Sequence, residues 1–84
     1  MIYDEPLHNL GIIVESIFLT DLGKRIRDLR KSRGISQEDL AFQAKMTRTY
    51  LAQIENGKVN PSIGKINKIA ESLNISLYEI FKDI

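Results

Sequence analysis

The sequence predicts an all-α fold: a compact bundle of five helices, preceded by an apolar segment whose structure the residues leave open. Three observations carry this. Apolar side chains recur at helical spacing from Leu22 to Phe81. Serine or threonine stands where helix N-caps belong, at Ser36, Thr47, Ser62 and Ser76. Glycine or asparagine stands where left-handed terminators belong, at Gly34, Gly57 and Asn74. The 84 residues suit one domain, near the size at which a single core is only marginally sufficient. The hydrophobic content of 43% is ordinary for a globular protein.

Residues 1–20 are the least legible. Pro6 and Gly11 punctuate the start, and Ile12-Ile13-Val14 with Ile17-Phe18-Leu19 is β-branched and apolar. Leu10, Ile13, Val14, Ile17 and Phe18 also satisfy helical spacing, so periodicity does not decide between strand and helix. The segment carries too much apolar surface to stay free in water, and it reads as a short strand or arm packed on the domain or on a second copy. His8 is the only histidine and, with no cluster around it, reads as a surface residue rather than a ligand.

The first helix is expected from about Asp21 or Leu22 to Arg33, with Leu22, Ile26 and Leu29 as its buried stripe. The stretch SQEDLAFQAKMTRTYLAQ, residues 36–53, holds the next two. Leu40, Ala41 and Ala44 share one face of the second helix, and Leu51 and Ile54 form the inner face of the third, which continues to Asn56. Ser36 with Asp39 makes a capping-box pattern, Asp being a weaker partner than Glu or Gln, and Thr47 is placed to cap the third helix. Two short helices joined by so brief a turn read as a helix-turn-helix, whose second helix can enter a DNA major groove. The fourth helix, from about Ile63 to Leu73, buries Ile66, Ile69, Ala70 and Leu73. Ser76 and Glu79 form a capping box for a last short helix carrying Leu77, Ile80 and Phe81.

Charge is unevenly distributed. Residues 22–60 hold nine basic side chains against four acids, and the remainder holds three against seven. A basic middle between acidic ends is the footprint of a face that holds phosphates, although lysine and arginine also solvate helix surfaces. The absence of cysteine excludes a disulfide framework or thiolate metal site and fits a reducing cytosol. The longest apolar run, Ile12–Val14, is too short to span a bilayer, and Asp4 and Glu5 stand where a signal peptide would be basic, so a cytoplasmic protein with no membrane partner is expected. No Gly-rich phosphate loop, metal-ligand cluster or Ser/Cys–His pairing is present, so an enzyme, a cofactor and a small-molecule substrate are not expected.

LGKRIRDLRKSRGISQEDLAFQAKMTRTYLAQIENGKVNPS, followed by IGKINKIAESLNISLYEIF, resembles the Cro/phage-repressor-type (xenobiotic-response-element-type) helix-turn-helix regulators over residues 22–81. The combination of SQEDLA with IENG carries the resemblance, and Arg48-Thr49-Tyr50 is similar to restriction-modification controller proteins. The resemblance implies a DNA-binding domain of the phage-repressor type over residues 21–84, a dimeric transcriptional regulator, and double-stranded DNA as partner. Residues 1–20 are then an arm and a candidate dimer contact.

Under that reading the third helix lies in the major groove with Thr47, Arg48, Thr49 and Gln53 outward. Arg48 suits a bidentate contact to guanine and Gln53 one to adenine; Thr49 offers a hydroxyl, or a methyl to thymine. The alternative is that Thr47 is only a cap and Arg48 only a phosphate anchor. Tyr50 either reaches a phosphate or packs on the second helix. Gln37 opens the second helix, where backbone N–H groups favour a phosphate, and the resemblance gives it a contact to the DNA backbone. Asn56, Lys58 and Asn60 would hold the next phosphates, Asn56 serving also as a helix stop. The resemblance further pairs Arg30 with Glu55, tying the first helix to the third. At Lys45 the family usually has glycine with φ > 0, so lysine there carries on the order of 1 kcal/mol of strain and is directed towards DNA.

Useful specificity requires two copies on half-sites about 34 Å apart. Ile75, Leu77, Ile80 and Phe81, with Ile12–Leu19, are the candidate homodimer contacts, core packing being the alternative for Leu77 and Phe81. The rival function is a protein-interaction module on the same fold, such as an antitoxin or accessory subunit.

Overall fold

The computed structural model describes residues 5–84, with side chains from Leu10 onward; the expectation for His8 lies outside the described side chains. Five helices follow one another: α1 (Glu5–Ser32), α2 (Gln37–Gln43), α3 (Arg48–Glu55), α4 (Ile63–Ser72) and α5 (Leu77–Phe81). No strand occurs among the described residues.

The beginning of the chain is where structure and sequence reading part. Of the residues expected to form a strand or arm, with a helix starting near Asp21, those from Glu5 onward belong instead to one unbroken helix of 28 residues. Two physical reasons suffice. A strand at this position would find no sheet edge to pair with, whereas the i, i+3, i+4, i+7, i+8 spacing of Leu10, Ile13, Val14, Ile17 and Phe18 is helical. Extending an existing helix also avoids the nucleation cost that a new element pays.

Elsewhere the local chemistry sets the boundaries. Ser36, Thr47, Ser62 and Ser76 each accept a hydrogen bond from the backbone N–H three residues on. The capping box closes only at Ser76, where Glu79 Oε1 accepts from the Ser76 N–H at 3.2 Å. At Ser36 the Asp39 N–H donates to Ser36 Oγ at 3.0 Å, but the shorter aspartate makes no return bond. The third helix stops one residue early, with Asn56 as its C-cap. Gly34, Gly57 and Asn74 adopt φ of 67°, 69° and 59°.

The core is one cluster: Leu22 and Ile26 from α1, Leu40 and Ala41 from α2 with its C-cap Ala44, Leu51 and Ile54 from α3, Ile66, Ile69 and Ala70 from α4 with its C-cap Leu73, and Ile80 from α5. Ile80, read as a candidate dimer contact, is therefore core; Leu77, Phe81, Ile75 and Leu29 are half-buried against it. Arg25 ties α5 to α1 by donating to the Glu79 and Lys82 carbonyls at 2.8 and 2.6 Å. Among the described residues no helix is long and apolar enough to cross a membrane.

Candidate nucleic-acid interface

The site is built on α3, whose orientation depends on how closely it crosses α1. Gly23 makes that crossing: a Cβ there would collide with the Ile54 carbonyl oxygen and lie 2.6 Å from that of Glu55. Nothing in the spacing singled out Gly23, because a glycine within a helix reads as a weakness until its neighbour is known.

Arg30 and Glu55 secure the same crossing. Arg30 Nε donates to Glu55 Oε2 at 2.7 Å and Nη2 to Oε1 at 3.0 Å, both residues being buried, while Nη1 donates to the Ile35 carbonyl at 2.9 Å. Gln37 Nε2 donates to Glu55 Oε1 at 3.0 Å. One buried carboxylate thus joins α1, the start of α2 and the end of α3. An amide nitrogen carries two N–H groups, so Gln37 keeps a second donor beyond its bond to Glu55.

The turn between α2 and α3 is held by Lys45, whose φ of 59° is the left-handed conformation its position was read to need. It is exposed. From this turn α3 buries Leu51, Ile54 and Glu55 and leaves Thr49 and Gln53, one turn apart, facing directly outward. Thr47 Oγ1 accepts from the Tyr50 N–H at 3.0 Å; the hydroxyl is a cap and still has its own proton to donate.

The flanks of α3 differ. On one side Arg48 borders a cleft with Arg30, Ser36, Gln37 and Glu38. On the other, Thr47 and half-buried Tyr50 border a cleft with Lys45, Met46 and Lys65. Lys65 was missed by the sequence reading, which treated α4 as a core helix; the lysine lies two residues after Ile63, and only the packing of α4 beside the turn brings it to Lys45. Asn56, Lys58 and Asn60 are exposed but are not part of either cluster. Asn56 caps the far end of α3, roughly 12 Å along its axis from Arg48, and Lys58 and Asn60 follow beyond it. The exposed face of α3 carries no carboxylate, since Glu55 points inward.

A short helix presenting polar side chains outward, seated across α2 with Arg48 on one flank and Lys45 and Lys65 on the other, defines a helix-turn-helix protein. The family model described as Helix-turn-helix matches residues 26–80, and the chain belongs to that family of transcriptional regulators, which are not enzymes. The chain is 44% identical over 63 residues to control protein C.MunI of a Mycoplasma species, covering 74% of this chain and 85% of that one. It superposes on the restriction-modification controller protein C.AhdI from Aeromonas hydrophila with a TM-score of 0.74 and 41% identity, over 75% of this chain and 96% of the other. A third similarity is to the controller protein C.Esp1396I, solved as a tetramer with its natural 35 base-pair operator, at 31% identity and a TM-score of 0.72 over 77% and 86% of the two chains.

Proposed function

We propose that this chain is a sequence-specific regulator of transcription, a repressor or controller, which binds double-stranded DNA as a homodimer on a two-fold symmetric operator. The observation that carries this reading is the outward face of α3. Thr49 and Gln53 project from it with no carboxylate beside them, and basic side chains flank it on both sides. In the major groove, Gln53 reads adenine through N6 and N7, and Thr49 offers a methyl or hydroxyl to its neighbour. Arg48 reaches guanine from the edge of the helix, with Thr47 beside it. Gln37, through its second N–H, and Tyr50 hold phosphates on opposite flanks, joined by Lys45 and Lys65. Asn56, Lys58 and Asn60 take the backbone beyond the end of α3. These contacts set register, and the α3 contacts set sequence.

The test is selection of bound duplexes from a random-sequence pool at two salt concentrations. Recovery of a two-fold symmetric motif with half-sites about 10 base pairs apart is expected. Weak binding without a motif, vanishing as salt rises, would leave phosphate contacts alone and point to the protein-interaction module instead.

A further inference from the structure

The N-terminal half of α1 carries an apolar face that the domain does not cover. Leu10, Ile13, Val14 and Ile17 are each more than half exposed, and Phe18 is 40% exposed. Their spacing places them on one stripe, whereas Leu22 and Ile26, which enter the core, lie on a different face of the same helix. These residues precede the family match, which begins at residue 26. The family model is matched without them.

We propose that this stripe is the seam at which a second copy of the chain docks, α1 against α1; the inference rests on the dimeric reading above. Three observations choose this occupant. The first is area: five such side chains expose on the order of 500 Å² per copy, the size of the largest patches on monomers, and a second copy covering them would bury about 1,000 Å² in total, the lower bound of specific interfaces. The second is charge. Within residues 10–20 the only ionisable side chain is Glu15, so the stripe offers nothing to a phosphate or an anionic headgroup and suits an identical uncharged surface. The third is continuity. The Phe18 ring stacks on Phe81, with centroids 6.3 Å apart and planes within 5°, so the stripe is anchored to α5 and the remainder of the domain. A two-fold contact is self-complementary: residues on the axis meet their own counterparts. Val14 lies midway along the stripe and meets Val14 of the second copy whether the helices run parallel or antiparallel.

The chain contains no cysteine, so Val14→Cys introduces a single thiol. Under mild oxidation this variant should form a disulfide-linked dimer in high yield, while Glu38→Cys on exposed α2 should not. Ile13→Glu combined with Ile17→Glu should convert a dimer at micromolar concentration into a monomer by analytical ultracentrifugation. It should retain the helical circular dichroism of the parent and lose at least tenfold in affinity for a duplex with two half-sites, with little change for a single half-site. A double variant that remains dimeric, an uncrosslinked Val14→Cys, or dissociation by Tyr78→Glu on α5 in its place would overturn the seam. A parent that forms this dimer yet binds no DNA would leave the seam standing and remove the regulatory reading.

Discussion

Arg30 and Glu55 meet through two hydrogen bonds at 2.7 and 3.0 Å, from the last turn of α1 to the last residue of α3. The carboxylate is fully enclosed, and Gln37 fills the remaining space on Oε1. Arg30→Ala leaves a buried charge with one amide as partner, and removing one member of such a pair costs about 3–5 kcal/mol. In urea denaturation the midpoint should fall accordingly. The exposed Lys24–Asp28 pair is the control: Lys24→Ala should leave the midpoint unchanged within error. A loss no greater for Arg30 than for Lys24 would show that the buried pair contributes little.

Gly23→Ala sets two effects against each other. Alanine is the better helix former by about 1 kcal/mol. Its Cβ, however, would strike the carbonyls of Ile54 and Glu55, backbone atoms that cannot swing aside. Overpacking of this kind costs typically about 1–3 kcal/mol, so the variant should melt at a lower temperature and bind DNA less well because α3 is displaced. A stabilised Gly23→Ala protein would contradict the close approach.

Lys45→Gly should separate stability from binding. Removing the side chain from a φ of 59° relieves strain of about 1 kcal/mol, so thermal stability should rise. If Lys45 holds a phosphate, affinity should fall at the same time. Calorimetry and a binding titration on one preparation give both signs, and a fall in stability would refute the strain argument.

Base and phosphate contacts should leave different signatures. Gln53→Ala should cost about 1–3 kcal/mol at one base position and relax the preference there. Lys65→Ala should weaken binding to all sequences alike and reduce the slope of log affinity against log salt by about 1. Fluorescence anisotropy across a salt series with operator and point-mutated operators distinguishes them. Equal discrimination before and after Gln53→Ala would remove that residue from base reading.

The features legible in the sequence are those governed by nearest neighbours along the chain. Caps at Ser36, Thr47 and Ser76 depend on a hydroxyl and an N–H three residues away, and left-handed stops at Gly34 and Asn74 depend on one residue's φ. The inward faces of α2, α3 and α4 followed from period alone. The start of α1 did not, because a β-branched apolar run with helical spacing satisfies two templates and only tertiary context selects. Gly23 and Lys65 escaped for a related reason. Each matters through an element distant in sequence, α3 for the glycine and the turn at Lys45 for the lysine.

The unbroken course of α1 has a mechanical consequence. Between Ile13 and Arg30 there is no joint, only about 25 Å of continuous helix. If two copies meet along the stripe, each recognition helix is attached to the common axis by a rigid strut rather than a tether. Inserting one base pair between half-sites shifts them by about 3.4 Å and rotates them by about 35°. A tethered dimer would absorb that change by reorienting its heads; this one has no joint with which to do so, and its operators should tolerate a single spacing.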